Sequence, residues 1–105
     1  MKQLRQGDVL LVKVDELPTG VEPIAREGGK IVLAHGEATG HAHAIVNRMA
    51  KFFQQPTTGR RFLRVSKRQT VLVHQEHEAI PLEPGVYEVK RQREYSPEVI
   101  RNVAD

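Results

Sequence analysis

The five histidines of this chain fall into two tight groups. His35, His41 and His43 lie within "HGEATGHAH", and His74 and His77 within "HQEH". A carboxylate accompanies each group, Glu37 in the first and Glu76 in the second. Imidazole nitrogens and carboxylate oxygens are donors for divalent Zn, Fe, Ni, Mn or Cu, and such a donor set does not choose among these ions. The chain has no cysteine, so disulfides and thiolate metal sites are excluded. A site built from three protein ligands keeps a coordination position open, as chemistry by a metal-bound water or oxygen requires. The competing role for a histidine on an apolar strand is a hydrogen-bonded place in the packing.

The segments that must position these side chains read as short strands. Runs rich in Val, Ile and Leu alternate with Gly and Pro, and most are too short for helices. Residues 8–14 form a strand that ends at the turn residues Pro18 and Gly20, and 15–29 form a loop or loose hairpin. Residues 30–35 and 41–46 form a hairpin across the five-residue loop "GEATG". Residues 50–55 suit a strand or a single turn. A second hairpin is expected from 60–66 and 69–75, the Pro-containing segment 78–85 reads as a sheet edge or bend, and 85–95 is a long strand. Ser96 as N-cap, Pro97 at the first helical position and Glu98 in the first turn predict a short C-terminal helix over about 97–104. At 105 residues the whole chain, 1–105, reads as one all-β domain: a small antiparallel β-barrel or sandwich with that helix appended.

On this frame side chains alternate between faces, so His41 and His43 point the same way. Pairing of the first hairpin sets His35 opposite His41, with Cβ atoms roughly 5 Å apart, and Leu33 opposite His43. Ala34, Ala42 and Ala44 take the other face. His35, His41 and His43 then form a candidate metal site, with His74 as the next ligand. Glu37 is placed as ligand or acid/base, and Glu76 as the carboxylate that orients an imidazole. His77 reads as part of an exposed turn.

At "HGEATGHAH" the chain resembles the first motif of the cupin superfamily, in which a glycine and short spacer precede His-x-His. His41 and His43 match that pair and Gly36 the glycine, one residue short in spacing. The resemblance implies a small β-barrel with a metal inside. The Glu expected downstream is replaced by Asn47 and Arg48, and "PLEPGVY" carries the second motif's proline and glycine without its histidine. The usual cupin activities therefore do not carry over. "GDVLLVKV…GGKIVLA" resembles the co-chaperonin β-barrel, which has no place for the histidines. The histidine-triad hydrolase motif is rejected, because Ile45 stands at its third histidine. The wider pattern resembles small bacterial or phage proteins, which implies no activity.

Charge supplies the remaining readings. The chain has 16 basic and 13 acidic residues, yet no Asp or Glu occurs between Glu37 and Glu76. Arg60, Arg61 and Arg64 lie in that interval and offer an anion-binding flank for a small anionic ligand. Tyr87, Arg91, Arg93 and Tyr95 share one strand face, and Phe62 and Arg64 repeat the pattern, which suits a nucleic-acid-binding module. A third reading is a structural or partner-binding domain with histidines at an interface, such as a pH-sensitive homodimer. The start, "MKQLRQGDVLLVKV", reads as neither signal peptide nor membrane span, so a cytoplasmic protein is expected. Three function classes thus remain open, with metal binding first and catalysis undecided.

Overall fold

The structure, a computed structural model, describes residues 3–35, 41–66, 69–75 and 77–91. The expected helix at 97–104 lies outside them, and among the described residues there is no helix. In particular, no helix there is long and apolar enough to cross a membrane. The described residues are all-β and antiparallel, and their sheets do not close into a barrel.

Two strands precede and follow the first turn: β1 (Gln3–Gln6) and β2 (Val9–Val14). Gln6 pairs with Val9, so Gly7 and Asp8 alone make the connection. Gly7 has φ of 58°, the left-handed conformation that a two-residue hairpin turn requires and that glycine adopts without strain. Next come β3 (Glu22–Pro23), β4 (Ile31–His35), β5 (Ala42–Ile45), β6 (Ala50–Gln55) and β7 (Arg60–Val65). The last three are β8 (Thr70–Leu72), β9 (Ile80–Leu82) and β10 (Gly85–Arg91).

Six strands form one sheet in the order β1-β2-β10-β7-β6-β3, while β4-β5 and β8-β9 are separate hairpins. A bridge between Ala44 and Val73 ties these hairpins together. The expected hairpin of 60–66 with 69–75 does not form. β7 pairs instead with β6 across the turn at residues 56–59 and with β10 on its other side, and β8 pairs with β9. Both edges of β7 are thereby filled, which leaves the following segment to cross into the second layer.

The core collects residues from both layers. Leu11, Leu63, Val65, Tyr87 and Val89 from the large sheet pack with Ile31, Leu33, Ile45, Leu72 and Leu82 from the hairpins. Alternation explains most of this: Leu63 and Val65 point inward from β7, and Tyr87 and Val89 from β10. Tyr87 therefore belongs to the core, its hydroxyl donating to the Glu83 carbonyl at 2.7 Å. Phe62 lies on the opposite face, paired with Glu88, so Tyr87 and Phe62 do not share a surface. Two arginines dress β4: Arg61 donates to the Leu33 carbonyl at 2.9 Å and Arg91 to the His35 carbonyl at 3.1 Å. These contacts satisfy carbonyls of a strand that would otherwise be open to further pairing.

Candidate functional site: an imidazole cluster around a buried histidine

The tight β1–β2 turn, the start of β5 and the segment after β8 meet at one end of the molecule. His43, on β5, is 2 % exposed and lies at the centre. The His74 ring is 4.3 Å from it between centroids, and the His77 ring 5.8 Å away and nearly parallel. His74 and His77 are 4.7 Å apart, and His41 meets His74 edge-on at 5.7 Å. Four of the five imidazoles thus form a contiguous group in which His74 touches the other three. Gly7 makes room for it. A Cβ there would sit 2.8 Å from His77 Nε2 and 3.2 Å from His43 Cε1.

Hydrogen bonding assigns the proton on His43. The Gln6 side-chain nitrogen donates to the carbonyls of Leu72 at 3.0 Å and Glu78 at 2.9 Å. Because both partners accept only, the amide cannot be reversed, and Gln6 Oε1 is the atom that faces His43 Nδ1 at 2.9 Å. Nδ1 must then carry the hydrogen. In the neutral ring Nε2 keeps its lone pair, and it faces Asp8 Oδ1 at 3.5 Å.

The electrostatics favour that neutral state. Burial pushes the His43 pKa down to about 4, and His74, His77 and Arg91 push the same way against the opposing charge of Asp8. Burial pushes the Asp8 carboxyl up, but the Arg91 hydrogen bond and charge, a backbone hydrogen bond and His43 together hold it below its ordinary value. The Asp8–Arg91 contact is 2.7 Å, between residues 83 positions apart. At neutral pH a lone pair and a carboxylate oxygen therefore face each other at the cluster's inner edge.

His35 lies elsewhere. The register of β4 on β5 shifts between Val32 and Ala34, so His35 opposes Ala42 and Ala34 opposes His43. The expected pairs His35–His41 and Leu33–His43 do not occur. The irregularity accommodates the fully buried Leu33 in the core and carries His35 to the surface. There its Nε2 lies 3.2 Å from Glu27 Oε1. His41 precedes β5, so strand alternation does not hold it to the face of His43. It lines an outer groove instead, together with Ala42 and Ala44.

Glu37 and Glu76 lie outside the described residues. Among the described residues, no three His, Asp or Glu side chains converge on one coordination point in this arrangement. Sequence reasoning missed Gln6 and Asp8 and assigned Arg91 to a nucleic-acid-binding face. It read His77 as part of an exposed turn, which is where it lies. The "GD" pair before an apolar run was the available signal for the turn that delivers Gln6 and Asp8.

The arginines expected to bind an anion do not converge. Arg60 makes a two-pronged contact with Glu88, at 3.0 and 2.9 Å, on the outer face. That hydrogen bonding holds the Glu88 carboxyl below its ordinary value, and Glu88 in turn raises that of Arg60. Arg61 points inward beside Phe52, and burial lowers its pKa. Arg64 lies over the Phe53 ring at 5.4 Å.

No curated protein and no solved structure matches the chain. A family model described as a domain of unknown function, DUF8820, matches residues 5–92, and the chain belongs to that family.

Proposed function

We propose that the domain binds a divalent metal ion at the imidazole cluster, with His43 Nε2 and Asp8 as the first ligands and His74 and His77 completing the set. The observation that carries this reading is the facing of two acceptors, the His43 Nε2 lone pair and Asp8 Oδ1, at 3.5 Å. Two ligands of one tetrahedral zinc, each roughly 2.0–2.1 Å from the ion, stand about 3.4 Å apart. Gln6 plays the part of the partner that fixes ring orientation and tautomer. Since the donors do not converge as they stand, metal capture requires His74 and His77 to turn about their side-chain torsions. His77 is exposed and His74 half-buried, so neither ring is fully enclosed. His41, at the edge of His74, is the next candidate ligand, and His35 is not part of the set. The fitting biochemical role is a metal-dependent binding or sensing domain.

The test is elemental analysis of untagged protein and zinc titration by calorimetry, followed by melting with and without chelator. Near-stoichiometric metal is expected, lost in His43→Ala plus His74→Ala and weakened in Asp8→Asn, with His35→Ala unaffected. A bound ion at a hundred times its Kd stabilises the fold by about 2.7 kcal/mol, so chelator should lower the melting temperature. Metal-free protein that takes up no zinc, with a melt insensitive to chelator, removes the reading.

A second reading, binding of single-stranded nucleic acid, is favoured by the outer face of the large sheet. Arg64 lies over Phe53 there and Arg60 over Phe62, at 5.4 and 5.2 Å. Base stacking on Phe53 with phosphate contact from Arg64 and Lys51 is the form it would take. Retention of an oligonucleotide that is salt-dependent and lost in Arg64→Ala supports it, and flat binding at low salt removes it.

A further inference from the structure

A groove of about 570 Å³ runs along the outer side of the second layer, where β5 meets the segment after β8. Its size falls within the range of roughly 300–1,000 Å³ that small-molecule sites occupy. The floor is apolar and low, because Ala42 and Ala44 carry only methyl groups, while Val32, Val46 and Val73 rise around them. Val46 is 60 % exposed and Val73 39 % exposed, both large apolar side chains left in water along one channel. The rim is charged, with Glu27, Lys30 and His35 on the β4 side. The Glu27 carboxylate is engaged by His35 at 3.2 Å. Lys30 makes no ion pair among the described residues, which leaves it as the rim's cation for an incoming anion.

We propose that this groove binds a small amphipathic carboxylate, with Lys30 taking the carboxylate and Val32, Val46 and Val73 covering the alkyl chain. Both halves of the ligand are needed. A bare anion would leave the valines in water, and a neutral alkane would leave the ammonium without a partner. Burying a few methylenes against the valines supplies most of the affinity, and the single charge contact sets the direction of the chain. His41 and His74 also line the groove, so it borders the proposed metal site. None of the four side chains assigned to the carboxylate and its chain is a proposed ligand.

The experiment is calorimetric titration of chelator-treated protein with octanoate and, separately, with acetate. Octanoate is expected to bind about tenfold or more tightly than acetate, the margin that a few buried methylenes provide. Lys30→Glu should weaken octanoate and acetate alike, and Val46→Asp should remove that margin. Val71→Asp should keep it, because Val71 is 42 % exposed and does not line the groove. All three positions are on the surface, and circular dichroism will confirm that the variants fold. Equal binding of octanoate and acetate, or a loss in Val71→Asp as large as in Val46→Asp, overturns the proposal. With chelator present the titration reads the groove without a metal, so its failure leaves the zinc result standing, and the reverse holds too.

Discussion

Two histidine–carboxylate pairs lie one strand apart and behave differently. His35 meets Glu27 at 3.2 Å with side chains 68 % and 58 % exposed. His43 meets Asp8 at 3.5 Å with side chains 3 % and 29 % exposed. The same two chemical groups, an imidazole and a carboxylate, thus meet in water in one case and with the imidazole inside the protein in the other. In water the pair is screened and contributes little. In the interior the imidazole loses hydration, is forced neutral, and needs Gln6 to satisfy its N–H. Chemistry becomes available only at the second pair, because burial turns an ordinary ring into one with a fixed tautomer and a directed lone pair.

The largest effect that would sharpen this contrast is an acid limb belonging to His43. Folding holds its pKa at about 4, whereas the unfolded chain returns it to its ordinary 6.5. Between those values the unfolded state binds more protons, so stability rises with pH. The contribution is complete above about pH 6.5 and is lost as the pH falls toward 4, by up to about 3 kcal/mol. Asp8 adds loss of the same sign at lower pH, below its ordinary 3.8, so the two limbs are separable. Urea unfolding at stepped pH in chelator should find the upper limb in the wild type and a flatter one in His43→Gln. An upper limb that survives that substitution breaks the comparison.

Of intermediate size is Gly7→Ala. A left-handed φ of 58° costs a residue with a Cβ about 1–2 kcal/mol, and the added methyl would also push on His77 Nε2. The same unfolding measurement should register that loss, and NMR should register a shift at His77 with little change at His35. The smallest effect is expected from the exposed pair. His35→Ala should cost less than about 0.5 kcal/mol and leave the upper acid limb in place. A loss of more than a kilocalorie there would mean that the surface pair is coupled to the cluster.

Much of the frame was legible because it is local. The short apolar runs in "VLLVKV" and "RRFLRV" and the Gly and Pro punctuation mark β2, β7 and the 56–59 turn. The hairpin of β4 with β5 follows from two apolar runs across a short loop. The gathering of His41, His43 and His74 was legible in part, since His-x-His and the apolar run before His74 are visible without a structure. The partner of β7 was not. Two strands adjacent in sequence looked like a hairpin, yet β10, some twenty residues further on, competes for the same edge and wins. Its Tyr87 and Val89 continue the buried face that Leu63 and Val65 begin.

By itself the sequence determined that this is a cysteine-free β-domain with its imidazoles in two groups, because composition and period-two patterning are properties of neighbours along the chain. Only the tertiary structure decided which imidazoles meet. A single irregularity at Leu33 sent His35 to the surface, since a shift in register changes which residue faces which across a ladder. Contacts spanning most of the chain, Gln6 with Leu72 and Asp8 with Arg91, brought an amide and a carboxylate onto His43. These depend on how the two layers close over the core, and no local pattern encodes that closure.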